Sequence, residues 1–181
     1  MTMESTIVGL PETLGADLAA LQRTGLSSPY LFDVYGMAEL IGRDTPERRA
    51  YVGAAHVALD VLRLMHFKPR NGTHFRLAGA ILLEMASAPV CDRCAGAGRL
   101  RIEAARLELV CPGCFGSGLE RASTTWRVTA TDCHYTDFRD RLQGVYQVTL
   151  TLLTGLRREA SREQPSASRT LTRVPLQRAA A

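Results

Sequence analysis

No stretch of the sequence approaches the roughly 20 consecutive apolar residues that a membrane span requires. Hydrophobic residues still make up 46% of its 181 positions, enough to bury one good core. The opening residues, Met1 to Leu10, lack a basic region followed by a long apolar run, so no signal peptide is expected. Cysteine is not dispersed in the way that marks a disulfide scaffold: four of the five fall in two C-x-x-C pairs. Lysine is nearly missing, with Lys68 alone among 22 basic residues. A GC-rich genome explains that bias as well as selection for phosphate contacts does. These absences point to a soluble cytoplasmic protein, in which Asn71-Gly72-Thr73 reads as a turn rather than as a glycosylation acceptor.

The net charge of +4 is unevenly placed. Residues 1–90 hold 8 basic and 9 acidic side chains, whereas residues 91–181 hold 14 and 9. From Arg157 onward six arginines face only Glu159 and Glu163. Bulk charge therefore supports a polyanionic partner only weakly.

Helical periodicity organises most of the chain. Leu14 to Arg23 and Tyr30 to Ile41 each read as a short helix. Thr45-Pro46-Glu47 is a helix start, with a capping hydroxyl, a preorganised proline and an acidic first turn. The helix it opens runs to about His66, with Tyr51, Ala54, Ala55, Ala58, Val61, Leu62 and Met65 on its apolar stripe. Lys68 to Gly72 turns the chain, and Thr73 caps a second helix from about His74 to Ser87, stopped by Pro89. Leu100, Ile102, Leu107 and Leu109 alternate with charged residues, which predicts a β-hairpin. Ser123 caps a short helix through Trp126, although its threonines and Val128 would also permit a strand. Thr136 to about Arg158 is the clearest helix, with Phe138, Leu142, Val145, Tyr146, Thr149, Leu152, Leu153 and Leu156 on one stripe and Arg and Gln opposite. The predicted architecture is mostly α-helical, with a small zinc-binding β-hairpin inserted. An N-terminal segment (1–44, partly helical or disordered) precedes a helical core (45–158) holding the hairpin insertion (90–120), and a disordered basic tail follows (159–181).

The strongest signal is one eight-residue module written twice. It runs from Cys91 and Cys94 to Gly96 and Gly98, and again from Cys111 and Cys114 to Gly116 and Gly118. Each C-x-x-C turns two sulfurs toward one ion, and the amides that follow can donate to the thiolates. The glycines suit backbone with φ > 0 after the second cysteine of each pair. Sixteen residues separate the pairs, a length that suits a hairpin. The expectation is a closed tetrahedral site in which Cys91, Cys94, Cys111 and Cys114 hold one structural Zn2+. A redox C-x-x-C would sit in a βαβ context and would not be duplicated. No open coordination position is apparent, and the chain is not expected to be an enzyme. Cys133 beside His134 reads as a small packed hydrophobe rather than as a nucleophile with its base. His56 and His66 read as packing or boundary residues, and Trp126 as a packing anchor.

The doubled C-x-x-C-x-G-x-G module is shared with the cysteine-rich region of DnaJ-type co-chaperones, which carry four such modules. This chain has two and lacks the His-Pro-Asp triplet of a J-domain. A wider match spans roughly residues 34–158: helix, Asn-Gly turn, helix, module, basic-hydrophobic stretch, module, Ser/Arg segment, long helix. In that order the chain resembles the antitermination protein Q family of lambdoid phages. Val34-Tyr35-Gly36-Met37-Ala38, the helix from Glu47 to His66, Cys91 to Arg99, Arg121-Ala122-Ser123, Trp126-Arg127-Val128-Thr129 and Leu142 to Leu153 carry the likeness.

The resemblance implies a factor that binds double-stranded DNA at a late promoter, engages paused RNA polymerase and carries it through terminators. It also implies a helix-turn-helix-like reader, interrupted by the zinc hairpin. His74 to Ser87 would be its first helix and Ala122 to about Ala130 its second. On that reading Arg121, Ser123, Thr124, Thr125 and Arg127 would reach DNA, with Arg99 and Arg101 on the hairpin as further phosphate contacts. The alternatives are that these arginines are solvated surface charges, and that the hairpin is a protein-interaction module of the co-chaperone type.

Overall fold

A computed structural model describes residues 13–24, 45–68 and 72–163. The expected helix over 30–41, most of the Lys68–Gly72 turn and the tail beyond residue 163 lie outside the described residues. Five main helices and one two-stranded sheet make up the described chain: α1 (Leu14–Thr24), α2 (Pro46–Leu64), α3 (Thr73–Ser87), β1 (Arg99–Ile102), β2 (Leu107–Val110), α4 (Thr124–Thr131) and α5 (Gln143–Glu163).

The helices α1, α2, α3 and α5 share one core. In α1, Leu14, Leu18 and Leu21 fall on one face at helical spacing and are buried. Close approach is possible because glycines meet side chains: a Cβ on Gly53 would lie 2.5 Å from a methyl of Leu14. Asp17 holds the approach by accepting from Arg49 at 2.8 and 3.1 Å. The amphipathic stretch assigned to the N-terminal segment thus belongs to the core.

The sequence signals at the start of α2 act as expected: the Thr45 hydroxyl accepts from the Arg48 amide, and Pro46 occupies the first turn. At α3 the cap is Gly72 (φ 75), and Thr73 is already helical. The left-handed conformation needed there suits glycine, which displaces the hydroxyl cap read from the sequence. The helix ends where Ala88 turns extended (ψ 136), as the residue before a proline must. His56 and His66 are exposed rather than packed.

The hairpin forms with Leu100 opposite Leu109 and Ile102 opposite Leu107. These four therefore share one face of the two-stranded sheet, and Arg99, Arg101, Glu108 and Val110 share the other. Ser123 caps α4, accepting from the Trp126 amide at 3.1 Å. Before α5 come one helical turn, Tyr135–Asp137, and a π turn, Phe138–Leu142. The π turn seats Phe138 edge-on to Tyr146, both fully buried, with ring centres 5.7 Å apart. Among the described residues no helix is long and apolar enough to cross a membrane.

Candidate metal centre

All four cysteines of the doubled module are buried, and their sulfurs lie within 4.8 Å of one another. None is in a disulfide. Cys94 Sγ is 3.7 Å from Cys114 Sγ, and Cys91 Sγ is 4.0 Å from Cys111 Sγ. The two modules meet reciprocally, as halves related by an approximate twofold. The amide of Cys91 donates to the carbonyl of Gly118 and that of Cys111 to the carbonyl of Gly98, each at 2.9 Å. The Gly98 amide donates to Cys94 Sγ and the Gly118 amide to Cys114 Sγ, each at 3.3 Å.

The glycines are required by this fit. Gly98 has φ 73, and a Cβ there would stand 2.3 Å from the Gly116 carbonyl oxygen. Gly118 has φ 77, and its Cβ would stand 2.2 Å from the Gly96 carbonyl oxygen. Each module leaves room for the other.

Burial pushes the Cys114 thiol up to about 12, with the Cys94 and Cys111 thiols adding to the rise against the Gly118 and Gly116 amides. Burial also acts to raise Cys111, but hydrogen bonds from the Cys114 and Gly113 amides and the Cys114 and Cys94 thiols outweigh it and bring the group down to about 7. Four buried sulfurs with aligned amide donors can hold a metal ion, whose charge stabilises the thiolates that burial disfavours.

The hairpin is seated on α5 by side chains of the face opposite its apolar stripe. Gln147 Nε2 donates to the Cys114 carbonyl at 3.3 Å, and the Thr151 hydroxyl to the Phe115 carbonyl at 3.0 Å. Arg158 donates from one guanidinium nitrogen to the Gly96 carbonyl at 3.0 Å and from the other to the Gly116 carbonyl at 3.1 Å. Residues 147, 151 and 158 lie on one helical face, so the polar stripe was visible in the sequence. What it faced was not, because a polar stripe reads equally well as a wet surface.

Beside the centre lies a buried ionic network. Glu84 is 1% exposed and accepts from Arg127 at 2.6 and 2.9 Å and from the Tyr146 hydroxyl at 2.8 Å. Arg127 lies over the Tyr146 ring, 4.7 Å from its centre, and also donates to Gln147 at 3.3 Å. Burial, then the adjacent Glu84 charge, pushes the Tyr146 hydroxyl well above its ordinary range. The expectation that Arg127 reaches DNA is thereby corrected. Its side chain is 3% exposed, and its guanidinium is spent on an internal carboxylate.

The remaining candidates stay at the surface. Arg121, Ser123 and Thr125 are exposed and Thr124 is half-buried; Arg121 precedes the Ser123 cap of α4, and the threonines open its first turn. The Arg121 guanidinium lies over the Phe115 ring, 4.6 Å from its centre. Arg99 and Arg101 are exposed on the hairpin, with Arg99 3.4 Å from Glu108. Cys133 is half-buried against the core, and its thiol donates to the Thr131 carbonyl. Comparison of the chain with known protein families, characterised proteins and solved structures gives no match.

Proposed function

We propose that the chain is a DNA-binding transcription regulator of the lambdoid Q type, in which a zinc-held hairpin fixes a short reader helix. Zinc is the ion that the donor set favours. With four zinc–sulfur bonds of about 2.3 Å, a tetrahedron has sulfur–sulfur edges of about 3.8 Å. The spacings of 3.7 and 4.0 Å across the modules are close to that value.

The observation that carries the reading is the placement of the hairpin. It leaves the chain after α3 and rejoins it at α4, and Glu84 of α3 grips Arg127 of α4 behind it. Two packed helices joined by a metal hairpin are what the resemblance to the Q family leads one to expect. The start of α4 and the segment leading into it then offer Arg121, Ser123, Thr124 and Thr125 to a DNA groove, with Arg99 and Arg101 as phosphate contacts. RNA polymerase would be the protein partner, and terminator read-through the outcome. No catalytic step is assigned.

A second reading has its own support. On the sheet face that carries Leu100, the neighbouring Ile102, Leu107 and Leu109 are 41%, 47% and 44% exposed. An uncovered apolar face suits a protein partner, as in the co-chaperone type of interaction module.

Selection of random duplex DNA by the zinc-loaded protein tests the first reading, with Cys111→Ser run alongside. Enrichment of one site by the zinc form alone, followed by loss of that binding in Arg121→Ala, is the expected result. No enrichment, with binding of an unfolded protein chain that is lost in Leu109→Ser, would favour the interaction module.

A further inference from the structure

Arg158 donates hydrogen bonds to both halves of the cysteine module. It sits on the seam between them, with one guanidinium nitrogen on Gly96 and the other on Gly116. The same guanidinium closes on the amide-bearing glycines: a Cβ at Gly98 or Gly118 would come within 2.6 or 2.9 Å of its Nη1. Burial holds its guanidinium below its ordinary range, with Arg162 and Arg99 adding to the fall and the Cys114 and Cys94 sulfurs opposing it. Arg158 belongs to the penultimate turn of α5, a helix whose earlier turns are core.

We propose that Arg158 is the positioning residue that couples metal occupancy of the cysteine cluster to docking of the C-terminal turns of α5. The inference rests on the cluster being a metal centre. Four thiolates around one divalent ion carry a net charge of about −2. A fixed guanidinium offsets part of that charge without entering the coordination sphere. The planar fork of arginine is preorganised to span two carbonyls at once, whereas an ammonium offers its three donors from a single point on a flexible stem. When the cluster closes on a metal, the carbonyls of Gly96 and Gly116 are held at the separation that the fork requires. When it opens, the fork loses one partner, and the end of α5 loses its anchor to the hairpin. Because coupling between two sites is reciprocal, whatever metal gives to the helix end, the docked helix end returns to metal affinity.

The test uses the full chain as wild type, Arg158→Lys, Arg158→Met and Arg162→Met. Arg162 carries a like charge one turn further on and is exposed, so it controls for loss of a neighbouring charge that makes no bond to the module. Zinc affinity is read by competition with a chromophoric chelator. Amide exchange over residues 155–163 is followed with and without zinc, and far-ultraviolet circular dichroism confirms that each variant is folded. Outer-shell partners of metal ligands typically contribute about 10–100-fold to affinity. Arg158→Met is expected to lose zinc affinity within that range, Arg158→Lys less, and Arg162→Met under about twofold. Zinc should slow exchange over 155–163 in wild type and leave it unchanged in Arg158→Met. A folded Arg158→Met with wild-type affinity and wild-type zinc-dependent protection would overturn the coupling while leaving the metal centre standing. Failure of the wild type itself to bind zinc would overturn the metal centre, and the coupling with it.

Discussion

Replacing Arg127 with methionine separates a structural arginine from a DNA-reading one. The guanidinium is bonded twice to a Glu84 carboxylate that is 1% exposed. After substitution, Glu84 keeps the Tyr146 hydroxyl and a long contact of 3.4 Å from the Ala122 amide, but no opposite charge. Breaking a buried pair from one side costs about 3–5 kcal/mol, because it leaves a charge in a dry site. A domain of this size has about 5–15 kcal/mol in all, so the loss is a large fraction of the total. Glu84→Gln in the same background removes the orphaned charge while keeping an acceptor for Tyr146. The double variant should therefore recover much of the loss, with a coupling well beyond the roughly 0.5 kcal/mol expected of independent sites. Urea unfolding of the wild type, both single variants and the double variant, followed by circular dichroism, measures that coupling. Additive effects would refute the reasoning. So would a stable Arg127→Met variant that had lost specific DNA binding, since Arg127 would then be a surface contact.

Further outcomes follow from the same geometry. Stripping the metal, or Cys111→Ser, should raise amide exchange across residues 90–120 while helicity from α1, α2, α3 and α5 persists; loss of all helicity would show that the core depends on the hairpin. Gly98→Ala should weaken metal binding and destabilise the hairpin, because its Cβ would meet the Gly116 carbonyl oxygen at 2.3 Å in a left-handed backbone; unchanged zinc affinity by chelator competition would contradict this. Tyr51 is raised from 10.0 to about 12 by burial, and Tyr146 is raised well above its ordinary range. Groups shifted upward stabilise the fold fully below their unfolded value and stop doing so as pH passes the folded one. Stability in urea should therefore fall from about pH 10 towards 12, and Tyr51→Phe should flatten the early part of that fall.

What was legible in the sequence was what one element specifies by itself. Thr45-Pro46, Ser123, the alternation from Leu100 to Leu109 and the two C-x-x-C pairs carry their own local chemistry: the caps and the hairpin form as encoded, and the pairs bring four sulfurs within 4.8 Å of one another. What pairs distant elements was hidden. Arg127 reads as an arginine on a short polar helix until Glu84, 43 positions earlier, is placed beneath it. Gln147, Thr151 and Arg158 read as a wet face until the hairpin is laid across them. The π turn at Phe138–Leu142 escaped for another reason: a 3.6-residue period still fits on either side of one inserted residue. The cap at α3 went to Gly72 because backbone handedness outranked hydroxyl chemistry there.

The mutual fit of Gly98 with the Gly116 carbonyl, and of Gly118 with the Gly96 carbonyl, changes what the repetition of the module means. Neither copy is an independent binding motif that happens to occur twice, because each is the mould for the other's backbone. A side chain gained in one half presses on the main chain of its neighbour, where no rotamer change can relieve it. Anyone grafting this hairpin onto another scaffold would have to carry both knuckles as a single part, together with an arginine placed to span their seam.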